Sequence, residues 1–358
     1  MARTIRAGVI GFGLGGRIFH APFLQAVEGL ELAAILERHG ESAREAYPDV
    51  AIARTLEELL AQPELSLVVV TTPPATHFDM ARRCLEAGKH VIIDKPFVAS
   101  SAQARLLIEL ARTRGLLLSA YQNRRWDGDF LTLQKLIADG ELGRLVSLES
   151  RFERYSPGPR SKPWQEENLP GNGLLHDLGP HLADQALALF GTPESVTADI
   201  RYDRDRTAVN DGFAMHLKYP RLRVSLYGTL LAPVAGPRFV VHGTSGSYVK
   251  YGLDPQEPAL KAGAKLGGSH WGQDWGREPE AAWGKLTAIQ NGVAAQRTVP
   301  TLAGDYRRYY ENVRDAILGR AALAVPGEQG WRVIRLLELA IESSVRGRTM
   351  PCAVLDEF

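Results

Sequence analysis

Apolar residues in the first third of the chain fall into short unbroken runs closed by turn residues. IRAGVIGFGLGG is a strand-like stretch that runs into glycines, RIFHAPFLQAV follows with helical spacing, and LELAAILER reads as a second strand. That is a β-α-β unit. LSLVVVTTPPATH repeats the scheme with a fully apolar strand, FDMARRCLEAGK predicts a helix stopped by Gly88, and HVIIDKP predicts the next strand. SAQARLLIELARTRG and LLLSAYQNR add one more helix and strand. Strands apolar on both faces that alternate with helices, from Ile5 to about Gln122, predict a parallel doubly wound sheet.

Beyond Gln122 the period changes. FLTLQKLIADGELG predicts a helix, whereas RLVSLESRFERY alternates polar and apolar residues as a half-exposed strand does. A loop rich in proline and glycine, 156–173, leads into GLLHDLGPHLADQALALFG, a predicted helix ending at Gly191. SVTADIRYD, DGFAMHLKYP, RLRVSLYGTLL and PRFVVHGTSGSYVKYG alternate again, which predicts a large open sheet, mostly antiparallel. YRRYYENVRDAILG and GWRVIRLLELAIESSVRG close the chain as helices. The expected division is a Rossmann domain at 1–122 and a second α/β domain at 123–358, with the C-terminal helices able to pack back on the first. A length of 358 residues exceeds one ordinary core, so two domains also suit the size.

Charge narrows the class of partner. Lysine plus arginine number 42 against 41 for aspartate plus glutamate, so no large field draws nucleic acid or an anionic membrane. A small-molecule substrate is the expectation. Cys84 and Cys352 stand far apart and fit no metal-ligand spacing, so both read as packing residues, and no metal is expected. MARTIRAGVIGFG passes straight into strand-like sequence without an apolar leader, and no run approaches a membrane span, so a cytoplasmic location is expected.

Two features carry chemistry. Gly11, Gly13 and Gly16 fit G-x-G-x-x-G between a strand and a helix, where the first permits a tight turn, the second lets a pyrophosphate approach and the third allows close helix packing. Phe12 and Leu14, inside the same turn, join the expected cofactor contacts. Glu37 ends the second strand about twenty residues further on, in the position of an acid that hydrogen-bonds the adenosine ribose. Its charge favours NAD over NADP, although the adjacent Arg38 has the chemistry to stack on adenine or to bind a 2′-phosphate. The second feature is VIIDKPFVAS, a buried-looking strand that ends in Asp94 and Lys95. Open α/β sheets keep their chemistry at that carboxyl end.

These segments, with TTPPATH, EAGKHVIIDKP, LIADGELG and GLLHDLGPHLAD in that order, resemble the Gfo/Idh/MocA oxidoreductases over nearly the whole chain. RFVVHGTSGSYVKYGLDPQE is most similar to the branch that contains scyllo-inositol dehydrogenase-like proteins. The resemblance implies NAD(P)-dependent dehydrogenation of a secondary hydroxyl of a cyclic polyol or sugar, in a homodimer or homotetramer joined through the second domain's sheet. Lys95 matches the family's Glu-Lys-Pro lysine beside the nicotinamide, with Asp94 in place of the commoner glutamate. Asp177 and His181 match its Asp-x-x-x-His motif, and four-residue spacing sets both on one helix face. A histidine titrates in the range needed to take a hydroxyl proton, so His181 is the expected acid/base, Lys95 the support for a developing alkoxide, and Asp177 a hydroxyl ligand or an orienter of the histidine.

By the same resemblance Thr72, Pro73 and His77 lie along the cofactor and Asn123 approaches the nicotinamide or substrate. Arg125, Trp126, Tyr155, Trp164 and His176 are candidates for a polyol pocket, since sugar rings offer C–H faces to aromatics and hydroxyls to charged groups. Asp184, near the same motif, is read as supporting it. Each has a plainer reading. Taken alone, Lys95 is a solvated surface lysine, Asp177 helix polarity, His181 a satisfied semi-buried ring and His77 a capping residue. Trp164 and segment 269–280 suit a dimer contact equally well. An aldose or dihydrodiol dehydrogenase would use the same site, and a dinucleotide sensor would keep the fold while turning over nothing.

Overall fold

The computed structural model describes residues 4–160, 162–264, 274–290 and 292–358, so residues 269–273 of the tryptophan-bearing segment lie outside the described residues. Two compact units divide the chain. The first takes Met1–Asn123, Gln256–Asp274 and Asp305–Trp331, and the second takes Arg124–Pro255, Trp275–Gly304 and Arg332–Phe358.

In the first unit six strands, β1 (Ile5–Ile10), β2 (Leu30–Leu36), β3 (Ala51–Ala53), β4 (Leu65–Val70), β5 (His90–Ile93) and β6 (Leu118–Ala120), pair in the order β3-β2-β1-β4-β5-β6. Every pairing is parallel. Val9, Leu67, Val68, Val69 and Val70 are wholly inaccessible, which is why these strands read as continuous apolar runs rather than as alternation. The order reverses between β1 and β4, the switch point at which such sheets bind ligands beyond the strand ends. After β1 the chain makes a π-helical turn, Gly16–His20, and continues as α1 (Ala21–Ala26). α2 (Ser42–Ala46), α3 (Leu56–Leu60), α4 (His77–Glu86) and α5 (Ser101–Thr113) complete the crossovers. Thr55 and Ser100 cap α3 and α5 by accepting the amides of Glu58 and Gln103 at 3.2 and 3.3 Å.

The second unit holds the larger sheet. α6 (Gly128–Ala138) precedes β7 (Leu145–Glu153), α7 (Leu174–Phe190) follows, and then come β8 (Ser195–Arg201), β9 (Gly212–Lys218), β10 (Arg223–Thr229), β11 (Phe239–Gly243) and β12 (Gly246–Lys250). α8 (Gln256–Lys261) belongs to the first unit, after which β13 (Gly284–Gln290) and β14 (Val293–Val299) form a hairpin back in the second. α9 (Arg307–Ile317), in the first unit, stacks Tyr310 on Phe23 of α1 with ring centroids 6.0 Å apart. α10 (Gly327–Arg346) and the short β15 (Met350–Pro351) end the chain. The nine strands run β14-β13-β12-β11-β7-β10-β9-β8-β15, with antiparallel neighbours except for the parallel pair β7 and β10. The sheet is therefore mixed and mostly antiparallel, and it alternates buried with half-exposed positions as one-sided burial requires.

α7 covers one face of that sheet. Leu174, Leu175, Leu178, Leu182 and Ala186 pack with Leu148, Phe152, Met215, Leu217, Val224 and Leu226 in the core. One buried cation ties the elements together. Arg238, directly before β11, donates to Gln185 Oε1 of α7 at 2.6 Å and to Ser150 Oγ of β7 at 2.5 Å, and its Nε lies 3.3 Å from Asp129 of α6. Phe152 and Phe239 lie beside the guanidinium, with ring centroids 4.3 and 4.1 Å from its central carbon.

Among the described residues no helix is long and apolar enough to cross a membrane, and no cluster of three or more His, Cys, Asp or Glu suits a metal ion. Cys84 and Cys352 are buried free thiols, each pushed up to about 12 by that burial. Replacing Arg238 by alanine is expected to remove about 3–5 kcal/mol of stability in urea unfolding, because the Asp129 carboxylate loses its buried counter-charge.

Candidate active site

In the first unit the glycine turn is a cradle that side chains would fill. Gly11 has φ +97°, and a Cβ there would stand 3.0 Å from the Thr71 carbonyl oxygen; a Cβ on Gly16 would stand 2.1 Å from the Gly11 carbonyl oxygen. Gly13 and Leu14 are exposed at the start of the helix, where the first N–H groups have no intrahelical acceptor and favour an anion. These residues fit the pyrophosphate of a dinucleotide. Phe12 instead turns inward, edge-on to Tyr47 at 6.0 Å, so what it offers a cofactor is backbone. Gly15 lies against the ends of β4 and β5: a Cβ there would stand 2.3 Å from Thr71 Oγ1 and 2.8 Å from Asp94 Oδ2.

Asp94 follows β5 and holds the backbone that carries Lys95. Its Oδ1 accepts the Lys95 amide at 2.7 Å, and its Oδ2 accepts the Thr71 hydroxyl at 3.2 Å. Burial pushes the Asp94 carboxyl up, but the facing imidazole of His20, 3.4 Å away, and the nearby charges of Lys95 and His77 outweigh it and hold the group below the usual carboxylate range. His77 is buried, with its two ring nitrogens facing the Thr72 carbonyl at 2.7 Å and the Pro96 carbonyl at 2.9 Å, and burial lowers its pKa. It ties the TTPP loop to the DKP loop, and through them Thr72 and Pro73 to Lys95. Asn123 is buried at the start of a 3-10 turn.

Glu37 does not point outward alone. Its carboxylate accepts the Ser42 hydroxyl and, at 3.0 Å, the Ala43 amide, both at the start of α2. Arg54 donates to the carbonyls of Glu37 and Gly40 at 2.9 and 2.7 Å, which fixes the loop in between. Arg38 is exposed on that loop.

In the second unit α7 presents Asp177 and His181 one turn apart, with His176 beside them. His181 is 4% exposed and lies 6.2 Å, centroid to centroid, from the Phe152 ring. The His176 Nδ1 lies 3.1 Å from the Asn172 carbonyl, and burial lowers its pKa. Arg160, which the sequence did not single out, donates to Asp177 Oδ2 at 3.3 Å. Its loop is clamped from below. Arg204, 6% exposed, donates to the Gly158 carbonyl at 2.8 Å, to both Glu166 oxygens at 3.2 and 3.0 Å and to Asp211 at 2.8 Å, while Glu166 also accepts the Arg160 amide at 2.8 Å. Burial pushes the Glu166 carboxyl up, yet Arg204 and the Arg160 amide hold it below its usual range.

The proposed pocket residues separate. Arg125 makes a two-pronged ion pair with Asp184 at 2.7 and 2.6 Å, so its guanidinium supports α7. Trp126 is half-buried, Tyr155 is 60% exposed and bridges to Leu231, and Trp164 sits in the loop with its carbonyl accepting the Asn172 side-chain amide at 2.6 Å. No spacing in the sequence announces Arg160 or Arg204. Gly15→Ala, whose backbone is already helical, should lose about 1–3 kcal/mol in urea unfolding and weaken nicotinamide dinucleotide binding by fluorescence titration, because the methyl displaces Thr71 and Asp94.

Comparison with known proteins places both units in one family. Residues 5–122 match the family described as "Oxidoreductase family, NAD-binding Rossmann fold", and residues 134–352 match its "C-terminal alpha/beta domain". The chain is 43% identical to the Escherichia coli oxidoreductase YdgJ, covering 98% of this chain and 99% of that one. It is 40% identical to scyllo-inositol 2-dehydrogenase (NADP(+)) IolW of Bacillus subtilis, covering 97% and 96%. The triclinic structure of Bacillus subtilis yvaA matches with a TM-score of 0.94 at 38% identity, covering 98% and 99%. The chain therefore belongs to the Gfo/Idh/MocA family and is an NAD(P)-dependent oxidoreductase.

Proposed function

We propose that this enzyme moves hydride between a nicotinamide and a secondary hydroxyl, or the matching ketone, of a cyclic polyol of the inositol type. The observation that carries the reading is the pair Asp177 and His181 on one face of α7, with Arg160 drawn to Asp177. A protonatable ring, a carboxylate and a guanidinium together offer acceptors and donors to several neighbouring hydroxyls, as a polyol requires and a simple alcohol does not. The name of the Bacillus subtilis relative, scyllo-inositol 2-dehydrogenase, supports the same substrate class.

When bound, the nicotinamide supplies the hydride acceptor. His181 takes the hydroxyl proton as the carbon is oxidised and returns it in the reverse direction. Lys95 stabilises negative charge on the substrate oxygen, and Asp94 fixes the peptide that presents it. Asp177, steadied by Arg160, accepts from the substrate's other hydroxyls. The glycine turn cradles the pyrophosphate.

NADP is the proposed cofactor. Glu37 is engaged by Ser42 and Ala43, so its charge is partly compensated, and Arg38 stands exposed beside it as a ligand for a 2′-phosphate. Arg38→Ala should then weaken NADP use relative to NAD by about tenfold or more in kcat/KM. An unchanged ratio would return the preference to NAD and to Glu37.

A panel of inositols, aldoses and secondary alcohols with NAD or NADP, followed by reduced-nicotinamide absorbance, tests the reaction itself. Turnover is expected on an inositol, with kcat falling about a hundredfold or more in His181→Ala. Turnover confined to aldoses would shift the substrate to the anomeric carbon. Cofactor binding without turnover, keto substrates included, would make the chain a dinucleotide sensor.

A further inference from the structure

Behind Asp94 lies a chain of buried groups that the reaction scheme does not yet use. His20, wholly inaccessible at the end of the π turn, places Nε2 3.4 Å from Asp94 Oδ2 and Nδ1 2.5 Å from the hydroxyl of Tyr310 on α9. Tyr121 packs on the imidazole with ring centroids 4.3 Å apart. Tyr310 is also inaccessible, and burial raises its pKa well above the ordinary phenol range. A phenol that keeps its proton is a donor for Nδ1, and in the tautomer where it donates there the ring proton sits on Nε2, facing the carboxylate. Tyr310, His20 and Asp94 thus form one directed series ending at the residue whose Oδ1 holds the Lys95 amide.

We propose that His20, backed by Tyr310, is a positioning residue for the reaction: it holds the Asp94 carboxylate in place, and so fixes the peptide that presents Lys95. The inference rests on the role given above to Lys95.

The groups facing Asp94 are His20, Lys95, Thr71 and the charge of His77, and those facing His20 are Tyr121 and Tyr310. Removing His20 deletes a cause that lowers the Asp94 pKa while burial still raises it. The carboxyl must then titrate at higher pH, and the acid limb of kcat must move up with it.

The test uses the full-length protein with 13C-labelled aspartate, following the Asp94 carboxyl by NMR titration in wild type, His20→Phe and His20→Gln. His20→Phe should raise the Asp94 midpoint by about one pH unit. With NADP and scyllo-inositol, or the substrate the panel identifies, kcat should fall about tenfold while the dinucleotide KM changes less than about threefold. His20→Gln, which keeps a donor near the Nε2 position, should recover most of both. An Asp94 midpoint unmoved in folded His20→Phe, or an activity loss equal at every pH, would overturn the proposal. The NMR titration needs no substrate, so it stands even if the substrate assignment fails. Should His20→Phe not fold, Tyr310→Phe decides: it keeps the imidazole but removes the hydroxyl at its Nδ1, so the Asp94 midpoint and the acid limb of kcat should still move up, and an unmoved midpoint would sink the idea.

Discussion

The approach of backbone to backbone at the glycine turn is the constraint on which the first unit depends. With a methyl at Gly16 standing 2.1 Å from the Gly11 carbonyl, the helix that follows could not start where it does. With glycine there, it starts hard against the ends of β1, β4 and β5. Gly15 then borders Thr71 and Asp94, and the wide turn that follows carries His20 inward to Asp94. One steric allowance therefore serves two ends: it opens helical N–H groups to a pyrophosphate, and it builds the support of the strand end that bears Lys95.

The second unit solves a different problem, that of fixing polar side chains on a helix whose other face is core. It does so with buried or half-buried arginines. Arg238 joins α6, α7, β7 and β11, Arg125 holds Asp184 on α7, and Arg204 clamps the loop that brings Arg160 to Asp177. Such ion pairs add little net stability over an apolar core of the same volume, since desolvation offsets attraction. Their planar, many-donor geometry fixes angles that packing leaves loose. Pro180 within α7 has no N–H for the His176 carbonyl, so this helix has reason to rely on side-chain ties.

Much of this was legible in the sequence, and what escaped has physical causes. The parallel sheet of the first unit, the helix bearing Asp177 and His181, and the alternating strands of the second announce themselves by period, because burial imposes it. β3 has three residues and α2 and α3 five each, too few to display a period. β14 is exposed at most positions, VAAQRTV, and so lacks the alternation that marks a buried face. The glycine motif could be read because its chemistry is local. Tyr310 and His20 are 290 residues apart, and the Arg160 bond to Asp177 depends on a loop set by Arg204. Contacts of that kind arise from topology and leave no spacing to find.

Residue type at a motif position is thus an incomplete guide to charge. Glu37 reads as an acid waiting for ribose hydroxyls, and an unengaged carboxylate there would repel a 2′-phosphate. In the fold each of its oxygens already accepts one bond, from a hydroxyl and an amide at the start of α2, so part of its acceptor capacity is used and its field is partly compensated by the donors. The exposed Arg38 meets the solvent instead. Asp94 makes the converse case. A buried acid would be expected to hold its proton, but an imidazole, a hydroxyl and an amide converge on it and keep it ionised. In both, the donors around a carboxylate determine what it can do for a ligand, and those donors come from segments that the motif does not include.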